Sequence, residues 1–165
     1  MRLYHGSNTP FKEIDISLCR PNKDFGQGFY LAPDRIAAER MAKRTVRRFG
    51  GKAYLMTFDF DESALADVPV KRFPQPSAEW AMFVMANRRP QVAATDHNRD
   101  NRYGMAVGPV ANDDLALLFR QFALGLVTVE MLVREMRFKQ LTIQYSFHTP
   151  LAVSALKFVG VDDVY

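Results

Sequence analysis

The 165 residues carry 48% apolar side chains, which suffices for one sizeable core and makes a single folding unit over 1–165 the expected organisation. The lone Cys19 excludes an internal disulfide, no charged-then-apolar leader opens the chain, and no apolar run approaches membrane-spanning length. The cytoplasm is therefore the expected compartment, with no membrane partner, and a net charge of +4 with a pI near 9.3 favours anionic ligands only mildly because acids are scattered throughout.

In chain order, Met1 to His5 reads as a short strand, and Asn8, Pro10, Pro21 and Asn22 then punctuate a loop leading to a second strand over Gly28 to Ala32. Ile36, Ala37, Met41, Ala42 and Val46 recur at helical spacing and predict a helix over Asp34 to Phe49, with Pro33 in its first turn and Gly50-Gly51 at its exit. Ala53 to Phe60 alternates, placing Tyr54, Met56, Phe58 and Phe60 on one face of a half-buried strand. Ser77 is placed to cap a helix running to Arg88 that turns Trp80, Phe83 and Val84 inward. Arg89 to Arg102 is polar and reads as an exposed loop. Tyr103 to Val110 reads as a strand containing Gly104 and Gly108, Asn112-Asp113 starts a helix to about Phe122, and Thr128 caps another over Val129 to Arg137. Leu141 to Phe147 alternates as a strand, Thr149-Pro150 caps a short helix over Leu151 to Leu156, and Lys157 to Tyr165 closes as a strand. No repeat or linker divides the chain. Strands dispersed among helices without a regular strand–helix repeat give an α+β fold with a mixed or antiparallel sheet.

Two segments carry chemistry. In Tyr4-His-Gly-Ser7 and Asp24-Phe-Gly-Gln-Gly-Phe-Tyr-Leu31, glycines beside a His and a Tyr bring bare backbone and two rings within reach of one flat ligand, which points to a nucleotide site. Taken singly, His5 reads as a strand-end residue, Tyr30 as core and Gln144 as a solvent-facing strand residue; only their joint order singles them out. Gly26-Gln-Gly28 lacks the third spaced glycine and the Lys-Ser/Thr ending, so neither a Rossmann fingerprint nor a P-loop is supported. His5, His97 and His148 lie far apart and Cys19 has no partner at ligand spacing, so no metal is expected. Pairing Cys19 or Ser146 with His148 reads as chance, and Asp113-Asp114 as a helix cap with first-turn charge.

With Trp80 to Arg88, Val107-Gly-Pro-Val-Ala-Asn-Asp-Asp114 and Gln144-Tyr-Ser-Phe-His-Thr149, these segments stand in the order found in the bacterial DUF3990 family, which the chain resembles over nearly its whole length. That family looks like a divergent branch of the ADP-ribosyltransferase superfamily. The resemblance implies an ADP-ribosyltransferase-like split β-sandwich with flanking helices, NAD as co-substrate in a central cleft, and a diphtheria-toxin-like His, Tyr, Glu pattern. It implies that His5 hydrogen-bonds an NAD ribose, that the Gly6 backbone holds the nicotinamide amide with Ser7 adding a contact, and that Tyr30 stacks on nicotinamide. Gly26 and Gly28 then let the loop close against the ligand. The third position falls on Gln144 in place of Glu, which keeps a hydrogen-bond acceptor and loses the charge that stabilises an oxocarbenium-like transition state. Asp113 or Asp114 is the expected auxiliary carboxylate.

The function expected is mono-ADP-ribosyl transfer to a macromolecule, in the role of a toxin paired with an antitoxin protein or of a defence factor. Two alternatives stay open: a catalytically weakened NAD or ADP-ribose binding module, for which Gln144 speaks, and a basic interaction protein without nucleotide chemistry. The last rests on Arg35, Arg40, Lys43, Arg44, Arg47 and Arg48, which form a basic stripe on one helix suited to nucleic acid or an acidic protein.

Overall fold

The computed structural model describes every residue except 90, 93, 94, 112 and 138–140, and the side chains of 113, 114 and 137 also lie outside the description. The strands are β1 (Arg2–Ser7), β2 (Phe29–Leu31), β3 (Ala53–Phe60), β4 (Val70–Arg72), β5 (Met105–Pro109), β6 (Ile143–Phe147) and β7 (Leu156–Val164). The helices are α1 (Arg35–Phe49), α2 (Ala78–Arg88), α3 (Asp113–Ala123), α4 (Val129–Arg137) and α5 (Pro150–Val153). Among the described residues these strands form two sheets and no closed barrel, an α+β arrangement. One sheet runs β1-β3-β7 and is antiparallel; the other runs β2-β6-β5-β4 and is mixed, because β4 pairs parallel to β5.

Strand alternation assigns the layers. Phe29, Leu31, Met105, Val107 and Phe147 share one face of the second sheet and meet Leu3, Met56, Phe58 and Phe60 of the first, with Tyr54 packed alongside, in a dry core between the sheets. The opposite face of the second sheet, bearing Tyr30, Ala106, Gly108, Gln144 and Ser146, lies under Phe25, Phe73, Trp80, Phe83, Leu115, Phe119, Leu132 and Met136. Leu55 is also fully buried, so β3 is covered on both faces rather than half-buried.

The caps follow the local chemistry. Ser77 accepts from the Trp80 amide at 3.1 Å and Thr128 from the Met131 amide at 3.3 Å, as the sequence predicts. Thr149 caps α5 as expected, although the helix stops at Val153. Asp34, not Pro33, opens α1: its carboxylate accepts from the Ile36 amide at 2.9 Å, so Pro33 stands just outside the helix. Buried Ala38 and Ala42 seat α1 against Gly6, where a Cβ would lie 2.0 Å from the Ala38 carbonyl oxygen.

Further expectations need correction. On α1, Ile36 is 57% and Met41 46% exposed, so the buried positions of the helix narrow to Ala38 and Ala42. The segment after Arg89 is irregular but not uniformly exposed, since Asn98 is fully buried: its amide nitrogen donates to the carbonyls of Phe25 (3.2 Å) and Tyr103 (3.1 Å), and its oxygen accepts from the Tyr103 amide (2.8 Å). A carboxamide both donates and accepts, which lets one polar side chain replace water between two buried backbone segments. Strand β4, only three residues long, has no counterpart in the sequence reading.

Candidate functional site

Strands β1 and β2 meet at one bridge. Tyr4 and Ala32 exchange two backbone bonds of 2.8 Å, which turns the Tyr4 amide and carbonyl away from β3. By the alternation of an antiparallel ladder, Gly6, itself buried, also turns its N–H and C=O away from β3, to the side on which β1 bridges Ala32. No described residue bonds to the Gly6 backbone there.

His5 sits beside this fork. Its ring lies 4.6 Å from the Phe29 ring and 5.5 Å from the Phe11 ring, centroid to centroid, and its Nδ1 bonds the Tyr30 carbonyl at 2.7 Å. Burial lowers its pKa, so at neutral pH the imidazole is uncharged, with its one proton on the Nδ1 facing that carbonyl. Nε2 is then an acceptor; it has no protein partner among the described residues and is not sealed from solvent. Ser7 is partly committed, its hydroxyl oxygen accepting from the Thr9 amide at 3.2 Å.

Tyr30 leaves β2 on the face opposite Phe29, so the imidazole and the phenol flank β2 from its two sides. The Tyr30 hydroxyl donates to the Gly26 carbonyl at 2.7 Å and accepts from the Phe25 amide at 2.9 Å. Burial raises its pKa well above the usual range, so it stays protonated and keeps the bond it donates. The Lys23 ammonium stands 5.5 Å over the ring centroid. Asn87 takes the Asp24 carbonyl and Asn98 the Phe25 carbonyl, so the backbone of 24–26 is held by side chains from β2, α2 and the 95–104 segment. Both glycines of this loop are explained by protein neighbours. Gly26 has φ +96° with its Cβ position 2.7 Å from the backbone carbonyl oxygen of Asn98, and at Gly28 that position is 2.5 Å from His148 Nδ1.

Gln144 is the second residue of β6, on the same face as Tyr30. Its nitrogen donates to Asp24 Oδ2 at 2.7 Å and toward the Pro109 carbonyl at 3.4 Å. Both partners are acceptors, which fixes the amide's orientation and leaves Oε1 unpaired and open to solvent. Asp24, only 6% exposed, also accepts from Arg88 Nε at 2.7 Å, from a second Arg88 nitrogen at 2.6 Å and from the Ala111 amide at 3.0 Å. Arg88 closes the knot by donating to the Ala111 carbonyl at 2.8 Å. A carboxylate does stand beside Gln144, but it is neutralised by a guanidinium and saturated with donors.

Asp24 and Arg88 are the residues that sequence reasoning missed, although both lie inside motifs it quoted. The auxiliary Asp113 and Asp114 begin α3, and their side chains lie outside the described residues, as does the expected cap Asn112. The pairing of Ser146 with His148, read as chance, is present: Oγ and Nε2 are 2.8 Å apart, and Nδ1 bonds the Gln27 carbonyl at 2.8 Å. Residues i and i+2 of a strand share a face, which is why they meet. Ser146 is fully buried and His148 nearly so, and burial pulls the imidazole down to about 4, so this neutral pair braces Gln27 and Gly28 out of reach of a substrate. Among the described residues no group of three or more His, Cys, Asp or Glu side chains is arranged to hold a metal ion.

The structure thus links the expected residues in a chain, from Gly6 and His5 through the Tyr30 carbonyl and ring to Gly26, Asp24 and Gln144. It does not set the three side chains on one surface. No curated protein and no solved structure matches this sequence significantly. The family model described as "Protein of unknown function (DUF3990)" matches residues 1–158, and the chain belongs to that family.

Proposed function

We propose that the protein is a mono-ADP-ribosyltransferase with an ADP-ribosyltransferase-like split β-sandwich, using NAD to modify a macromolecule. The observation that carries this reading is the fork between β1 and β2, where the Gly6 N–H and C=O turn away from β3 without a protein partner among the described residues and the His5 acceptor beside them is likewise unpaired. A primary carboxamide such as that of nicotinamide presents one acceptor and two donors, the complement of a backbone C=O and N–H on one residue. His5 Nε2, uncharged, is suited to accept from a ribose hydroxyl. The Tyr30 face already attracts the Lys23 ammonium, and a face that attracts a cation also suits the cationic pyridinium of NAD lying across the β2 edge.

In the reaction the bond from ribose C1′ to nicotinamide nitrogen breaks, and its electron pair leaves with the ring, which becomes neutral nicotinamide. A lone pair of the acceptor forms the new bond to C1′, and the acceptor's proton goes to solvent. Gln144 Oε1 would accept from a ribose hydroxyl and lend partial negative charge to the developing cation. Asp24 acts through Gln144, as a positioning residue that holds this oxygen outward. Loss of a full charge at a transition state costs roughly 3 kcal/mol, about a hundredfold in rate. The Arg88-neutralised Asp24 does not restore it, which favours a second reading, an NAD-binding module with little turnover.

Incubation with NAD, following released nicotinamide and label transfer to a cell lysate, separates the two. Transfer lost in His5→Ala and Tyr30→Leu supports the enzyme. NAD binding without release supports the binding module, and absence of both ends the reading.

A further inference from the structure

The solvent face of α1 carries a dense run of basic side chains. Arg40, Lys43, Arg44, Arg47 and Arg48 are exposed and fall within about 140° of the helical wheel along about 12 Å of axis, opposite the buried Ala38 and Ala42. The only acid in the helix is Glu39, which is engaged by Arg35 at 2.9 Å. Arg40, Lys43 and Arg47 have no acidic partner among the described residues. At the helix exit Phe49 is 51% exposed, with the Arg20 guanidinium 4.7 Å and the Arg48 guanidinium 5.1 Å from its ring centroid. Asn8 ties this end to the candidate site's strand, donating to the Gly50 carbonyl at 3.0 Å just after β1 ends.

We infer that this face binds the phosphate backbone of single-stranded nucleic acid. Charge complementarity fixes the sign of the partner, and residue type narrows its class: all but one of the five cations on the helix are arginines, whose planar fork matches phosphate oxygens, and the two guanidiniums laid against the exposed Phe49 ring present planes on which a base can stack. An acidic polypeptide would meet the charge but leave that ring and those planes without a stacking partner.

The test is fluorescence anisotropy with a labelled 20-nucleotide single strand over a salt series, without NAD. About four phosphate contacts predict a slope of log K against log salt of about −3. Arg47→Glu with Arg48→Glu should weaken binding at least tenfold and flatten the slope. Arg120→Glu with Arg134→Glu, two exposed arginines on α3 and α4, changes net charge equally and should have little effect. A duplex of equal length should bind more weakly. Equal loss in both double variants, a flat salt response, or equal binding of polyglutamate at matched charge would overturn the inference. Because no step uses NAD, its failure leaves the transferase reading untouched, and Tyr30→Leu should still bind the strand.

Discussion

Two regions a few residues apart treat their polar groups in opposite ways. Around Asp24, both carboxylate oxygens, the guanidinium of Arg88 and the amide nitrogen of Gln144 are bonded to one another or to backbone. At the fork of β1 and β2, the amide and carbonyl of the buried Gly6 turn away from β3, and these groups and His5 Nε2 have no protein partner among the described residues. The difference teaches which residues hold the scaffold and which are left for a ligand: a satisfied buried network rigidifies, whereas unpartnered backbone groups next to a neutral imidazole are a place to bind.

The comparison breaks most sharply at Arg88. Arg88→Met leaves the Asp24 carboxylate buried without its counter-ion, and we expect a loss of about 3–5 kcal/mol in urea unfolding, whereas His5→Ala at the fork should cost much less. A near-neutral Arg88→Met would show that the network does not brace the loop.

Acid probes the same distinction. The unfolded imidazole of His148 takes a proton near pH 6.5, and the folded one only near 4. The native state therefore has its full support above about pH 6.5 and loses about 3 kcal/mol as pH falls toward 4. His5, also lowered, adds to the trend in the same direction. Unfolding midpoints between pH 7 and 4.5 should show this decline, and His148→Gln should remove most of the slope whatever its effect on stability at pH 7.

Gln144→Glu sharpens the contrast further. Restoring a carboxylate at this position sets it against Asp24 Oδ2, now 2.7 Å from the amide nitrogen, so the single variant should lose about 2 kcal/mol through like-charge repulsion and a lost donor. Adding Asp24→Asn should recover part of that loss, with a coupling above about 1 kcal/mol in a double-mutant cycle. Additive effects would mean that the two side chains do not communicate. Ser77→Ala, distant from both regions, serves as the small reference: loss of its cap should cost about 1 kcal/mol and leave NAD binding unchanged.

The sequence made the periodic parts legible. The grouping of Tyr54, Met56, Phe58 and Phe60 on one face of β3 survives because it follows from strand geometry, and the Ser77, Thr128 and Thr149 caps because each is a local bond; the extent of α1 was legible from its spacing, but Ile36 and Met41 of that pattern are exposed and its buried positions are Ala38 and Ala42. The three residues of β4 are too few to show a period. The Asp24 knot was illegible because its partners lie 64 and 120 positions away, and nothing local distinguishes a buried ion pair from two surface charges. Asn98 was hidden likewise: composition marks its segment as polar, but only the fold reveals that its amide replaces water inside. The quoted motifs did mark segments that converge, yet the glycines read as ligand-facing are required by His148, Asn98 and Ala38.

The most direct test of the central claim is a calorimetric titration of NAD into the folded wild type and into His5→Ala and Tyr30→Leu, each first checked for native circular dichroism. Saturable binding by the wild type that weakens at least tenfold in both variants is the predicted result. Absence of binding, or binding that both variants retain in full, would contradict it.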